Sequence, residues 1–303
     1  MLADRPGSIA ATRELLSAED YVADTQLATS VFLALKLGRP LFVEGEPGTG
    51  KTELARVLSR ALGAELIRLQ CYEGLDIASA AYEWNHARQL LAIRAGEAAG
   101  ENAATSVDAL YNERYLIARP LLRALLPHAV PPVLLIDELD RSDEPFEAFL
   151  LELLDEFQIT IPEYGVIKAT TPPIIIITSN RTREVHDAVK RRCIYQWLDY
   201  PDAARELEIV RRRVPRASAR LTEQIVSFVH GLRKTDLYKL PGVSETVEWT
   251  RALITMDTVA LDPATVDTTL GLLLKYQDDV VQVQGAEAAR LLAEIARNQE
   301  AIR

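Results

Sequence analysis

The segment LFVEGEPGTGKTELAR at 41–56 limits the possible folds more than any other stretch of the chain. Gly45, Gly48, Gly50, Lys51 and Thr52 fit G-x-x-x-x-G-K-[ST], a turn whose backbone N–H groups wrap phosphate oxygens. Glycine is needed where the chain approaches oxygen closely or takes positive φ. Leu41, Phe42 and Val43 read as a short buried strand, and the spacing of Leu54, Val57, Leu58 and Ala61 predicts a helix from Thr52 to Leu62. A phosphate held there meets a helix N-terminus. Gly45, Glu46, Pro47, Gly48, Thr49, Gly50, Lys51, Thr52 and Glu53 are therefore the candidate nucleotide-binding residues. Lys51 is expected to neutralise the β- and γ-phosphates of the nucleotide, and Thr52 to lend its hydroxyl to a Mg²⁺ shell.

Two further apolar runs end in polar tips. Val133, Leu134, Leu135 and Ile136 lead into Asp137 and Glu138, and IIIITSN at 174–180 ends at Asn180. Asp137 at a strand end is a candidate for the Mg²⁺ water shell, and Glu138 for the general base that polarises an attacking water. Asn180 is a candidate to orient that water, or else a turn or cap residue. Continuous apolar strands alternating with helices predict a parallel sheet covered on both faces, an α/β fold whose functional residues gather at the strand C-termini.

Composition narrows the function classes. The chain has 303 residues, 48% of them hydrophobic, enough for one large or two modest domains with a real core. A net charge of −10 argues against a protein whose whole surface binds nucleic acid. Cys71 and Cys193 are the only cysteines, so no disulfide framework is indicated, and both read as small buried hydrophobes. The four histidines lie too far apart for a helical zinc pair. No run approaches the roughly 20 apolar residues of a membrane span, and the expected location is the cytoplasm.

GEPGTGKT, LLIDELDR and IIIITSN, followed by DAVKRRC at 187–193, resemble the Walker A, Walker B, sensor 1 and arginine-finger segments of AAA+ P-loop ATPases. DELDR, PFEAFLLELLDEF, QITIPEYGVIKAT and IIIITSN, in that order, resemble more narrowly the MoxR branch, and RLQCYEGLD with YEWNHARQLL is most similar to the CoxD-type ATPases of carbon monoxide dehydrogenase gene clusters. The resemblance implies ATP and Mg²⁺ as cofactors, a self-assembled ring, a hexamer, and Arg192 reaching the γ-phosphate of a neighbouring subunit, with Arg191 as the alternative finger. It further implies a chaperone that remodels a molybdenum hydroxylase client through a von Willebrand factor A-domain adaptor. Two other classes stay open: a nucleic-acid remodeller of the loader type, and a low-turnover nucleotide-binding scaffold.

The expected domains are an α/β nucleotide-binding domain at 1–199 and a helical lid with a C-terminal helix at 200–303. The stretch from Lys51 to Asp137 exceeds what one helix, strand and helix require, so an insertion is expected at about 75–128, and a β-hairpin at about 158–169. Tyr82, Trp84, Leu90, Leu91 and Ile93 in the insertion either bury it against the core or contact a partner. Helices are expected at Ala203–Val210, Leu221–Leu232, Thr246–Val259 and Ala286–Ile302, with Pro201, Pro215, Pro241 and Pro263 as breaks. The run Arg211, Arg212, Arg213, Arg216 and Arg220 reads as a solvated face or subunit contact, or else a nucleic-acid patch. MoxR-type proteins carry a sensor 2 arginine in a G-x-S-x-R-like stretch. Here Gly242, Val243, Ser244, Glu245 and Thr246 put a threonine at that place, and Arg251 lies about 140° around the helix from it.

Overall fold

The computed structural model describes residues 5–98 and 110–301. Part of the expected insertion, 99–109, and Ile302 at the end of the last expected helix lie outside the described residues. The chain packs as two compact units. The first holds the chain up to Leu15, Ala23–Glu44 and Thr52–Trp197, and the second holds Leu16–Val22, Gly45–Lys51 and the chain from Leu198 onward.

The first unit is built on a five-stranded sheet in the order β2-β5-β8-β1-β9, comprising β1 (Leu41–Gly45), β2 (Leu66–Gln70), β5 (Val133–Asp137), β8 (Ile174–Ser179) and β9 (Ile194–Leu198). The β1–β8, β5–β8 and β2–β5 pairings are parallel. Such strands must be covered on both faces, which is why β1 and β5 are buried at every position. Covering helices include α2 (Thr25–Leu37), α3 (Lys51–Ala61) and α7 (Glu144–Glu156), after the short α1 (Ile9–Ala18). The register sets Gln70 beside Asp137 and Ile136 beside Ile177, so the polar tips of three neighbouring strands emerge at one edge of an apolar core.

Between β2 and β5 the chain forms α4 (Ile77–Ala80), β3 (Tyr82–Trp84), α5 (His86–Ala98), β4 (Leu116–Ala118) and α6 (Pro120–Leu125), with β3 and β4 paired antiparallel. Trp84 is buried, edge-on to Tyr111 at 4.9 Å between ring centroids, whereas Leu90 and Leu91 on α5 are 57% and 68% exposed. The aromatic residue therefore serves the core, while the two leucines do not. A two-stranded hairpin of β6 (Gln158–Ile161) and β7 (Gly165–Lys168) follows α7. The short α8 (Asp187–Arg192) precedes β9.

In the second unit the chain after Leu198 is helical: α9 (Ala203–Arg213), α10 (Ala219–Leu232), α11 (Val243–Thr255), α12 (Pro263–Leu273), α13 (Gln277–Val283) and α14 (Ala286–Ala301). The apolar faces of α10 to α14 meet around Phe228, Trp249, Leu253 and Leu270, and Val210 of α9 belongs to a second cluster with Val226, Val243 and Val247. Two sequence expectations fail here for local reasons. α11 starts at Val243, earlier than Thr246, because Gly242 is its N-cap and the Glu245 carboxylate accepts the Gly242 N–H at 3.0 Å. It also ends before Val259, since Met256 caps it and Asp257 takes φ +55°. Pro263, expected as a break, opens α12, because a first-turn proline loses no helical hydrogen bond and Asp262 caps the Thr265 N–H. In the basic run, Arg211 pairs with Glu223 at 3.0 Å and Arg212 with Glu208 at 2.5 Å, which gives those two charges local partners.

Candidate functional site

The phosphate-loop segment shows why its glycines are glycines. A Cβ on Gly45 would lie 2.0 Å from the Leu198 carbonyl oxygen, and Gly48 and Gly50 take φ of +77° and +95°. Lys51, buried, donates from Nζ to the carbonyl oxygens of Gly45 at 2.8 Å and Glu46 at 2.7 Å, and Thr49 Oγ1 donates to the Glu46 carbonyl at 2.8 Å. The carbonyls of Gly45 and Glu46 thus turn toward the Lys51 ammonium. Within the same unit, Ser244 donates its N–H and Oγ to the Gly48 carbonyl at 3.2 and 3.1 Å. Thr246, at the place where a sensor 2 arginine is expected, is fully buried and donates to Glu206 at 2.7 Å. Glu53 pairs along α3 with Arg56 and Arg60, at 3.7 and 3.5 Å.

The carboxylates cluster at the strand tips of the first unit. Asp137 Oδ1 accepts from Thr52 Oγ1 at 2.9 Å and from Thr178 Oγ1 at 2.6 Å, while Oδ2 accepts from Arg68 Nε at 2.9 Å and Nη2 at 2.6 Å. The structure thus brings Thr52 and Asp137 together across a long separation in sequence. Among the described residues no group of three or more His, Cys, Asp or Glu side chains could hold a metal. One hydroxyl and one carboxylate fit Mg²⁺, a hard cation that keeps several waters and takes the rest of its shell from substrate phosphates. Glu138 has φ +57°, outside the strand geometry, and its N–H donates to Thr178 Oγ1 at 2.9 Å. Thr178 therefore sets both acids at once, donating to one and accepting from the backbone of the next. The Glu138 carboxylate accepts from Gln70 Nε2 at 2.9 Å and Asn180 Nδ2 at 3.4 Å, and lies 3.2 Å from Arg141 Nε.

Arg192 and Arg191 lie on α8. Arg192 bonds Asp155 at 3.0 Å and the Ala188 carbonyl at 3.0 Å, and Arg191, largely exposed, pairs with Asp187 at 2.7 Å. Neither bonds Thr52, Asp137, Glu138 or Asn180 in the contacts of the described residues. Both thiols are buried. Burial, followed by the negative charges of Asp137 and its acidic neighbours, pushes Cys71 up to about 12, and burial pushes Cys193 up to about 12.

Sequence reasoning missed Arg68, Gln70, Thr178 and Arg141 as partners of the two acids. For β2 the signal was present: in LIRLQ the polar Arg68 and Gln70 alternate with apolar residues, which places both on one face of the strand. What the sequence lacked was the register that aligns Gln70 with Asp137.

Residues 41–197, more than half of the chain, match the family described as the ATPase family associated with various cellular activities (AAA). An uncharacterised protein of Staphylococcus haemolyticus is 26% identical over 224 residues, 72% of this chain and 76% of that protein. The gas vesicle ATPase GvpN of Haloferax mediterranei is 26% identical over 221 residues, covering 70% of this chain and 61% of its own length. Among solved structures, a RuvB variant of Thermotoga maritima superposes with a TM-score of 0.50 at 16% identity, over 91% of this chain and 76% of that one. That likeness is one of fold.

Proposed function

The chain belongs to the AAA family of ATPases, and from that premise we propose that it hydrolyses ATP with Glu138 as general base and Asn180 orienting the water, to drive the remodelling of a protein client. The observation that carries this reading is the pair of adjacent acids with different partners. Asp137 is held by two hydroxyls and the Arg68 guanidinium, while Glu138 presents its carboxylate to the side-chain amides of Gln70 and Asn180, with the exposed Arg141 guanidinium 3.2 Å away. A carboxylate held by amides can take a proton from water and still keep its position. Lys51 and the loop N–H groups would bind the phosphates, and Thr52 and Asp137 would hold Mg²⁺. The bound ion would neutralise phosphate charge. Arg192, with Arg191 as alternative, would act on a neighbouring subunit in a ring, as the MoxR resemblance implies.

On the same resemblance, the client is a molybdenum hydroxylase of the carbon monoxide dehydrogenase type, reached through a von Willebrand factor A-domain adaptor in the cytoplasm. No helix among the described residues is long and apolar enough to cross a membrane. Glu138→Gln keeps the side chain's shape and removes the base, so turnover should fall by roughly 10²- to 10⁴-fold with ATP binding retained. A client that prefers the ATP state then gains affinity by its differential binding free energy between states. Purification of Glu138→Gln with ATP from native cells should enrich an A-domain protein or a molybdenum enzyme over the wild type. Salt-sensitive recovery of nucleic acid instead would replace the client reading with a loader.

A further inference from the structure

Asp140 has no part in the scheme above, yet it is 2% exposed and both of its carboxylate oxygens accept hydrogen bonds. It sits in the single 3₁₀ turn Leu139–Arg141 that follows Glu138 directly. Its Oδ1 accepts the N–H of Asn180 at 3.1 Å, and its Oδ2 accepts the N–H of Thr182 at 2.9 Å and the Thr182 hydroxyl at 2.7 Å. Between these two bonds Arg181 takes φ +56°, and its N–H donates to Ser179 Oγ at 3.0 Å. Three successive backbone N–H groups after β8 are thus held by side chains, two of them by Asp140. The residue that caps Asp140's turn, Glu138, and one in the loop that Asp140 grips, Arg181, are both non-glycine residues in the left-handed region. A conformation of that kind persists only when its surroundings fix it.

The consequence lies at the Asn180 side chain. Its Nδ2 is 3.4 Å from Glu138 Oε1, at the outer limit of a hydrogen bond, so a small displacement of the Asn180 backbone breaks the contact. Glu138 and Asn180 approach each other from different strands, and Asp140 bonds one loop to the other directly beside them, while Arg183 ties the same segments further on through the Ser142 carbonyl at 3.0 Å. We propose that Asp140 is a positioning residue for ATP hydrolysis, clamping the loop 180–182 so that the Asn180 amide and the Glu138 carboxylate keep their separation. This rests on the roles given above to Glu138 and Asn180. Buried charge alone does not explain the arrangement, because all three partners of the carboxylate belong to the segment that carries Asn180.

Asp140→Asn nearly preserves volume, but replaces one accepting oxygen by an amino group that faces donors, so at least one clamp bond is lost. The expected result is a fall in kcat of about 10- to 100-fold, the scale of a small misplacement of a reacting group, with ATP KM and directly measured ATP affinity unchanged. In an Asn180→Ala background the same substitution should cost less than about twofold, since residues that act through one another are non-additive. Thr182→Val removes only the hydroxyl bond and should give a smaller kcat loss that likewise vanishes with Asn180→Ala. It also supplies the test if Asp140→Asn does not fold. Equal losses in both backgrounds would overturn the clamp while leaving the catalytic reading intact. Full turnover by Asn180→Ala alone would remove both the water-orienting role and the clamp, and a raised KM at unchanged kcat would make Asp140 a binding residue and sink the proposal.

Discussion

Two buried carboxylates, one in each unit, have nearly the same set of partners and opposite prospects. Asp137 accepts from two threonine hydroxyls and the Arg68 guanidinium. Glu206 on α9 accepts from the Thr246 hydroxyl at 2.7 Å, from His230 Nε2 at 2.8 Å in the tautomer protonated there, and from Arg233 Nη1 and Nη2 at 2.6 and 2.9 Å. The arginines differ. The Arg233 side chain is 8% exposed, donates from Nε to the Pro241 carbonyl at 2.9 Å and lies over the Tyr200 ring at 4.7 Å, so its charge cannot leave. The Arg68 side chain is 44% exposed and can swing into solvent. A carboxylate with an exchangeable cation can give it up to another cation. A carboxylate with a trapped one is a structural pin, and Glu206 pins the turn from Pro241 to Thr246 from which Ser244 reaches Gly48.

The largest effect expected from this contrast is on stability. Glu206→Ala strands the buried Arg233 charge and should cost about 3–5 kcal/mol, the usual penalty for removing one partner of a buried pair. Urea denaturation followed through Trp249, which is fully buried in the helical core, reads it directly. A loss below about 1 kcal/mol would place Glu206 with the exposed pairs and break the comparison.

Arg68→Gln should behave the other way. Because the guanidinium is nearly half exposed, global stability should change by at most about 1 kcal/mol. A cation approaching Asp137 Oδ2 no longer has a guanidinium to displace, so the Mg²⁺ concentration needed to tighten nucleotide binding should fall by about two- to fivefold, the equivalent of roughly 0.5–1 kcal/mol. Calorimetric titration of ADP across a Mg²⁺ series measures it, and an unchanged Mg²⁺ dependence would show that Arg68 does not compete.

The contrast also explains what could be read from the chain in advance. The placement of Asp137, Glu138 and Asn180 at the sheet edge was legible because buried parallel strands are continuous apolar runs, so the polar residues after each run mark that edge. The phosphate loop was legible because its glycines answer to backbone geometry and not to distant partners. Glu206 was not. It stands in AARELEIVRRR beside the half-exposed Glu208, and its partners Arg233 and Thr246 lie 27 and 40 residues further on. Only the packing of α9 against α10 and α11 decides which glutamate is buried. Asp140 was hidden for the same reason: its place within DELDR is visible, but its bonds run to a loop 40 residues later.

The smallest effect is confined to acid. Burial alone would raise the Glu206 carboxyl, but hydrogen bonds from His230 and Arg233, the Arg233 charge and the Thr246 hydroxyl outweigh it and hold the group below its usual value of 4.5. The unfolded chain therefore binds a proton at Glu206 more readily than the folded one does, so folding stability rises with pH through that window. The contribution is complete above the unfolded value and is lost as pH falls from it through the folded value. Urea midpoints of the wild type should accordingly decline as pH falls through and below the usual carboxylate value of 4.5. Other carboxylates add to that slope, so the informative quantity is a difference. Glu206→Gln, less stable at neutral pH because Arg233 loses its counter-charge, should show a shallower decline over the same interval. Parallel curves for the two proteins would mean that the carboxyl titrates alike in the folded and unfolded chains, and Glu206 would then be a packed polar group and not a pin held by charge.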